Sequence, residues 1–213
     1  MTKIRSILML MAALFILTAS IAAQRAKQVA AQDYFPLRVG DSWKYRMTDS
    51  DTEYTVKVLS AEKQADGTTL YLLEKQAGVV IRDWYSKTNG WVLMHREAYA
   101  GQEGLDVKYE PPKQYLKNPL VAGERWNWKG KSITQTDVEE HNEVIGIEVV
   151  KVPAGTFRAM KVVSRGSNGE AIIQKTYWYA DGVGLVKSTS EGGQLKNGWE
   201  LVDYSFKKTG AKR

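Results

Sequence analysis

The sequence predicts an all-β protein with two tandem antiparallel meander halves, arranged as a curved sheet, an open barrel or a sandwich. Short runs of alternating apolar and polar residues are separated by glycine, proline and asparagine turns about every 8 to 12 residues. No stretch after residue 23 carries apolar residues at helical spacing, so we expect little helix. Two motifs also occur twice, which indicates an internal duplication.

The first motif, P-L-x-x-G-[DE]-x-W-x-[aromatic], occupies 36–45 and recurs at 119–128. The second motif, W-Y-x4-G-x-V, occupies 84–92 and recurs at 178–186. We therefore predict a first β half over 24–110 and a second over 111–213, folded as one structural unit.

The first 23 residues have the layout of a secretory signal peptide. Lys3 and Arg5 precede an apolar run over 7–17, and small residues follow. The run is shorter than the roughly 20 residues that a membrane span needs, although with residues 18–23 included an uncleaved anchor stays the second interpretation. We therefore expect cleavage near residue 23, export to the periplasm or the extracellular space, and no stable membrane anchor afterwards. The sequence has no cysteine, which excludes lipid attachment through a cysteine and excludes disulfides.

The charge of the chain indicates no nucleic-acid partner. The formal net charge is +6, and it falls to +4 without Lys3 and Arg5. No basic face recurs with interleaved aromatic residues, so the small excess is better explained by solubility.

Strands of the first half are predicted at 42–47, 54–60, 68–75, 79–86 and 91–96. The segment 97–114 has the weakest pattern and contains Pro111 and Pro112, so we predict that it connects the halves. In the second half we predict a hairpin of 131–137 and 143–152 with its turn at 138–142. Further strands are expected at 157–165, 171–179, 185–190 and 199–207, which gives ten to twelve in all.

The aromatic residues are the most informative candidates for function. The chain has seven tryptophans and eleven tyrosines. The duplicated tryptophans are best explained as core residues, because they recur at equivalent places. Trp91 and Trp199 lie outside the duplicated aromatic positions, so we predict that these two line a ligand-binding groove.

The sequence has few residues in patterns suited to catalysis, so we predict no cofactor, no metal site and no enzyme activity. His95 lies in a strand run, and His141 lies in the charged run 139–143, which we interpret as a solvated hairpin tip without metal-ligand spacing. There is no cysteine nucleophile and no G-x-S-x-G elbow. A pair of carboxylates acting as a glycosidase stays open, because such a pair is defined in space and not in sequence.

In three short segments the chain resembles a family of uncharacterised bacterial exported proteins. They are Y-F-P-L-R-V-G-D-S-W-K-Y at 34–45, V-P-A-G-T-F at 152–157 and W-Y-A-D-G-V-G-L-V-K at 178–187. The resemblance implies a β-rich envelope or secreted protein and brings no catalytic residue. Some members of that family carry a lipid anchor, and this chain lacks the cysteine.

These observations favour an exported, non-enzymatic β protein that binds an apolar molecule or a glycan in an aromatic groove. The second hypothesis is an envelope structural or interaction module that binds a protein partner. The third is a carboxylate-pair hydrolase.

Overall fold

Twelve antiparallel strands form one strongly curved sheet in the computed structural model, which describes residues 31–102, 104–168, 171–193 and 195–207. The strands are β1 (Ser42–Met47), β2 (Glu53–Lys63), β3 (Thr69–Gln76), β4 (Val80–Thr88), β5 (Trp91–Tyr99), β6 (Asp106–Lys117), β7 (Arg125–Lys131), β8 (Asp137–Val152), β9 (Gly155–Asn168), β10 (Ala171–Ala180), β11 (Gly184–Gly192) and β12 (Leu195–Ser205). The all-β prediction is confirmed. The signal peptide predicted at 1–23 lies outside the described residues.

The strands are wound into a nearly closed barrel. Their order in the sheet is β6-β5-β4-β3-β2-β1-β12-β11-β10-β9-β8-β7, so every neighbour along the chain is also a neighbour in the sheet except β6 and β7. β1 pairs with β12, which joins the start of the first half to the end of the second. The barrel therefore has one open seam, between β6 and β7, and one sheet in place of the two that a sandwich requires.

Side chains bridge the seam between β6 and β7. The Trp126 indole N–H donates to the Gln114 carbonyl at 3.2 Å. Lys117 pairs with Glu124 at 3.0 Å, and Lys113 of β6 pairs with Glu140 of β8 at 2.8 Å. These contacts hold two edge strands together without a ladder of backbone hydrogen bonds.

The two copies of the first motif make the same backbone contacts. The Gly40 N–H donates to the Val58 carbonyl at 2.9 Å, and the Val58 N–H donates to the Asp41 carbonyl at 3.0 Å. In the second copy, Gly123 donates to Val144 at 2.8 Å, and Val144 donates to Glu124 at 2.9 Å. Both glycines have positive φ, 94° and 85°, which a side chain would strain.

The duplicated tryptophans also occupy matching strands. Trp43 and Trp126 lie near the start of β1 and β7, the first strands of two sets of six. Trp84 and Trp178 lie in β4 and β10, the fourth strands, and a bulge follows each of them in the pairing with the next strand. This is the arrangement that an internal duplication predicts. The boundary at 110 and 111 stays a prediction, and it falls within β6.

Two predicted local features are wrong. The segment 97–114 is not a connection, because it contributes to β5 and β6. Pro111 and Pro112 are accommodated there because β6 is an edge strand and its pairing with β5 is irregular at this place. The run 138–142 is not a turn either, because it lies inside β8, paired with β7 on one side and β9 on the other.

Candidate functional site

The inside of the barrel contains a cavity of about 330 Å³ with mainly aromatic walls, which we call the aromatic cavity. Strands of both halves contribute to it, because β1 to β4 and β10 to β12 converge there. The sheet positions these rings because inward-facing residues repeat every second position along a strand. The aromatic wall residues are Phe35, Trp43, Tyr45, Tyr54, Tyr85, Tyr115, Tyr177, Tyr179 and Trp199.

The first-motif aromatics fix the wall by hydrogen bonds to the second half. The Trp43 indole N–H donates to the Val183 carbonyl at 2.7 Å, and the Tyr45 hydroxyl donates to the Leu185 carbonyl at 2.9 Å. Tyr45 also stacks on Tyr54, with ring centroids 4.9 Å apart. These rings are therefore held in place before any ligand arrives, which lowers the entropy cost of binding.

The segment 33–37, which we call the cap segment, packs against one wall of the aromatic cavity. The Asp33 carboxylate accepts hydrogen bonds from Lys87 at 2.6 Å and from the Asn118 amide at 2.8 Å. Burial alone would raise the pKa of Asp33, but these hydrogen bonds and the charge of Lys87 lower it on balance. Phe35 then reaches the cavity and packs against Tyr85, with ring centroids 5.2 Å apart. The cap segment thereby links the end of β4 to the connection between β6 and β7.

A buried ion pair lies in the wall of the aromatic cavity. The Lys75 Nζ is 2.5 Å from Oδ2 of Asp83, and the Tyr85 hydroxyl donates to the same oxygen at 3.4 Å. Asp83 is fully buried and its Oδ1 has no hydrogen-bond partner. Lys75 lines the cavity and keeps 32% of its side chain accessible. Burial lowers the pKa of Lys75 and Asp83 raises it, and the balance is a raised pKa, so the ammonium is charged at neutral pH.

The tyrosine hydroxyls of the wall remain protonated at neutral pH. Burial raises the pKa of Tyr45, Tyr177 and Tyr179 well above the ordinary value, and it raises the pKa of Tyr54 as well. The wall therefore presents phenolic O–H groups and one ammonium among apolar ring faces.

A second interior space, of about 230 Å³, is lined by charged groups, and we call it the polar cavity. Lys113 and Glu140 form an ion pair there, and Lys113 also lies over the Trp128 ring at 4.0 Å. Burial lowers the pKa of Lys113, with the charge of Glu140 opposing it. A space of about 200 Å³, with Lys75 and Lys113 both in its wall, lies between the two cavities.

The structure separates the two predicted ligand-binding residues. Trp199 lines the aromatic cavity and packs edge-on against Tyr54, with ring centroids 4.7 Å apart. Trp91 does not line this cavity and packs against Trp126 at the seam, at 5.9 Å. Sequence reasoning missed Lys75 and Asp83, although the alternation of Ile81, Asp83 and Tyr85 places a carboxylate on an apolar strand face.

The histidines are placed apart from both cavities. The His95 Nε2 is 2.8 Å from the Ser86 hydroxyl, a partner that the sequence did not suggest. Burial lowers the pKa of His95, with Asp66 opposing it. Ser86 is fully buried, so a substrate cannot reach this hydroxyl. His141 is exposed on β8 and contacts Asn127 at 3.0 Å.

No metal-ligand cluster and no membrane-spanning helix occur in the part of the chain that the structure describes. Among those residues, no three His, Asp or Glu side chains converge as metal ligands would. None of them forms a helix of the length and apolarity that crossing a bilayer requires.

The fold and the cavity define a class of protein, the antiparallel meander barrel with a ligand-sized interior. Residues 107–196, from β6 into β12, match the model of a family described as DUF3108-like. No curated protein matches the chain. The family match agrees with the resemblance to uncharacterised proteins. That the three sequence phrases are typical of this family stays a prediction.

The chain is similar to solved structures at low sequence identity. A predicted lipoprotein from Parabacteroides distasonis has a TM-score of 0.50 and 15% identity, covering 83% of this chain and 100% of its own. A predicted exported protein with a YmcC-like fold from Bacteroides fragilis has a TM-score of 0.45 and 15% identity, with the same coverage. The hypothetical lipoprotein YmcC from Escherichia coli has a TM-score of 0.36 and 12% identity, covering 86% of this chain and 94% of its own.

Proposed function

We propose that this chain is an exported, non-enzymatic protein that holds a small apolar molecule in the aromatic cavity. The observation that carries the proposal is the cavity itself, about 330 Å³ in volume and walled by aromatic rings from both halves of the barrel. Ligand sites in proteins are typically concave, about 300 to 1,000 Å³ in volume, and apolar with a few placed polar groups. The aromatic cavity meets each of these conditions.

Export is supported by the sequence and agrees with the similar structures. The predicted signal peptide at 1–23 directs the chain out of the cytoplasm. The neighbour from Parabacteroides distasonis is described as a predicted lipoprotein. We propose a periplasmic or extracellular location without a lipid anchor, because this sequence has no cysteine.

The other hypotheses from the sequence, a glycan ligand and a carboxylate-pair hydrolase, agree less well with the aromatic cavity. A glycan has many hydroxyl groups, and most of them would face ring carbons without hydrogen-bond partners. In the aromatic cavity a carboxylate-pair hydrolase would need two accessible carboxylates, but the acidic residue in its wall, Asp83, is fully buried and paired with Lys75. A groove of about 610 Å³ near Pro111 has four charged residues in its wall, Lys108, Glu110, Lys129 and Lys131, whereas the wall of the aromatic cavity has Lys75 and Asp83.

A protein-binding role has one observation in its favour. Ile145, Ile147 and Val149 of β8 are exposed at alternating positions, by 48%, 54% and 72%. A row of aliphatic side chains exposed to solvent is typical of a protein-interaction site. We keep this as the second candidate, and the two candidates differ in where a bound apolar probe lies.

Binding of the neutral fluorescent probe N-phenyl-1-naphthylamine to residues 24–213 tests the proposed function. We expect Trp199→Leu to weaken binding about tenfold or more, because this ring forms part of the cavity wall. Trp91→Leu serves as the matched control and should leave the dissociation constant within about twofold, since Trp91 lies outside the cavity. Absence of binding by the parent protein, or an equal loss in both variants, would refute the cavity as the site.

A further inference from the structure

The wall of the aromatic cavity has one charged hydrogen-bond donor, several neutral hydroxyls and no accessible carboxylate. Lys75 lines the cavity with a third of its side chain accessible, and its ammonium has three N–H groups. Tyr54 and Tyr177 add protonated hydroxyls, because burial raises the pKa of both. The carboxylate of Asp83 has no exposed surface, so it cannot accept from a ligand without a rearrangement of the wall.

Asp83 holds the Lys75 ammonium charged and in place. Its Oδ2 is 2.5 Å from the Lys75 Nζ, which uses one face of the ammonium and leaves capacity for a further acceptor. A charged donor makes its strongest hydrogen bonds to an anionic acceptor. The charged Lys75 would instead repel an ammonium group on a ligand. The Asp83 carboxylate is buried and could not pair with that group.

The cavity is also accessible from one side. Ala77 of the turn between β3 and β4 lines the cavity and is exposed, so the cavity reaches the surface close to Lys75 in the chain. An amphipathic molecule can therefore place its apolar part among the rings and its polar end near this opening. Water at the opening lowers the desolvation cost of a charged end.

We propose that the molecule held in the aromatic cavity is an apolar monocarboxylate, with its carboxylate bound by Lys75 and its chain or ring packed against the aromatic wall. This inference rests on the proposed function. It adds the chemical class of the ligand and assigns Lys75 as the anchoring residue, with Asp83 as the residue that positions Lys75.

Displacement of N-phenyl-1-naphthylamine by decanoate, 1-decanol and decylamine at pH 8 tests the inference on residues 24–213. These probes share one chain length and differ in the polar end. We expect decanoate to bind about tenfold or more tightly than 1-decanol, and decylamine to bind most weakly. Equal displacement by decanoate and 1-decanol would overturn the carboxylate assignment and leave the proposed function standing. Absence of dye binding would overturn the proposed function, and this inference with it.

A pair of double variants tests the role of Lys75. Lys75→Met with Asp83→Leu removes the ion pair from the aromatic cavity, and Lys113→Met with Glu140→Leu removes the ion pair of the polar cavity as the matched control. The first variant should bind decanoate no better than 1-decanol, while the control should keep the parent's preference. A preference for decanoate that survives the first variant would overturn the assignment of Lys75. The comparison of the three probes on the parent protein decides the ligand class even if the first variant fails to fold.

Discussion

Asp83→Ala is expected to lower the free energy of unfolding by about 3 kcal/mol. The substitution leaves the charged Lys75 in the barrel wall without its partner, and breaking one side of a buried ion pair typically costs about 3 to 5 kcal/mol. We expect the lower end of that range because the Lys75 side chain is 32% accessible and can be partly hydrated from the cavity. Urea unfolding followed by tryptophan fluorescence measures the change.

The double variant Lys75→Met with Asp83→Leu distinguishes two effects on stability. One is the loss of the ion pair, and the other is the cost of leaving the Lys75 ammonium unpaired. Replacing both members of a buried ion pair with apolar residues of similar volume is often neutral or stabilising. We therefore expect the double variant to be more stable than Asp83→Ala. A double variant that is less stable than the single one would mean that the loss comes from packing at position 83 and not from the unpaired ammonium.

Trp126→Ala is expected to lower the free energy of unfolding by about 3 to 5 kcal/mol. The ring is 7% exposed and packs against Trp91, and its indole N–H donates across the seam to Gln114. The variant therefore loses core packing and a contact between the two edge strands. Typical domains have only about 5 to 15 kcal/mol of total stability, so we expect a large fall in the urea midpoint.

Trp84→Ala is the control for the seam. Trp84 is half-buried, and its ring lies under the Arg96 guanidinium at 4.5 Å, on the side of the sheet away from the seam contacts of Trp126. Its removal should cost clearly less than the removal of Trp126. An equal loss in the two variants would show that the closed seam contributes little to the stability of the barrel.

The strands could be predicted from the sequence because period-two alternation and glycine turns are local signals. The strands predicted at 42–47, 79–86 and 171–179 agree with β1, β4 and β10 within about two residues. The duplicated motifs were also visible, since the glycine at each turn and the tryptophan after it recur in sequence. The choice of a nearly closed barrel over a sandwich depends on the pairing of β1 with β12, which no local pattern specifies.

A bulge determines which side chains of β12 face the inside of the barrel. Leu201 is fully buried, whereas Val202 is half-buried and Tyr204 is exposed. A register shift in the pairing of β1 with β12 occurs between Lys44 and Tyr45, and it changes which side chains face inward. The charged run 139–143 was assigned to a hairpin tip because of its composition, but it lies inside β8 and is paired on both sides.

The candidate site was only partly predictable. Trp199 could be singled out by its type, but its position in the cavity depends on the pairing of β12 with β1 and β11. Trp91 has the same chemical character and lies elsewhere, because its place is fixed by the seam. Lys75 and Asp83 were missed because the signal of a buried ion pair is their proximity across β3 and β4, which only the fold provides.

The measurement that tests the cavity as the binding site most directly is an NMR titration of ¹⁵N-labelled residues 24–213 with N-phenyl-1-naphthylamine. We expect the largest shifts at the indole N–H of Trp199 and at the backbone amides of Lys75 and Tyr177, which line the aromatic cavity. Shifts confined to Ile147, Val149 and their neighbours on the exposed face of β8 would contradict the account and favour a surface for a protein partner.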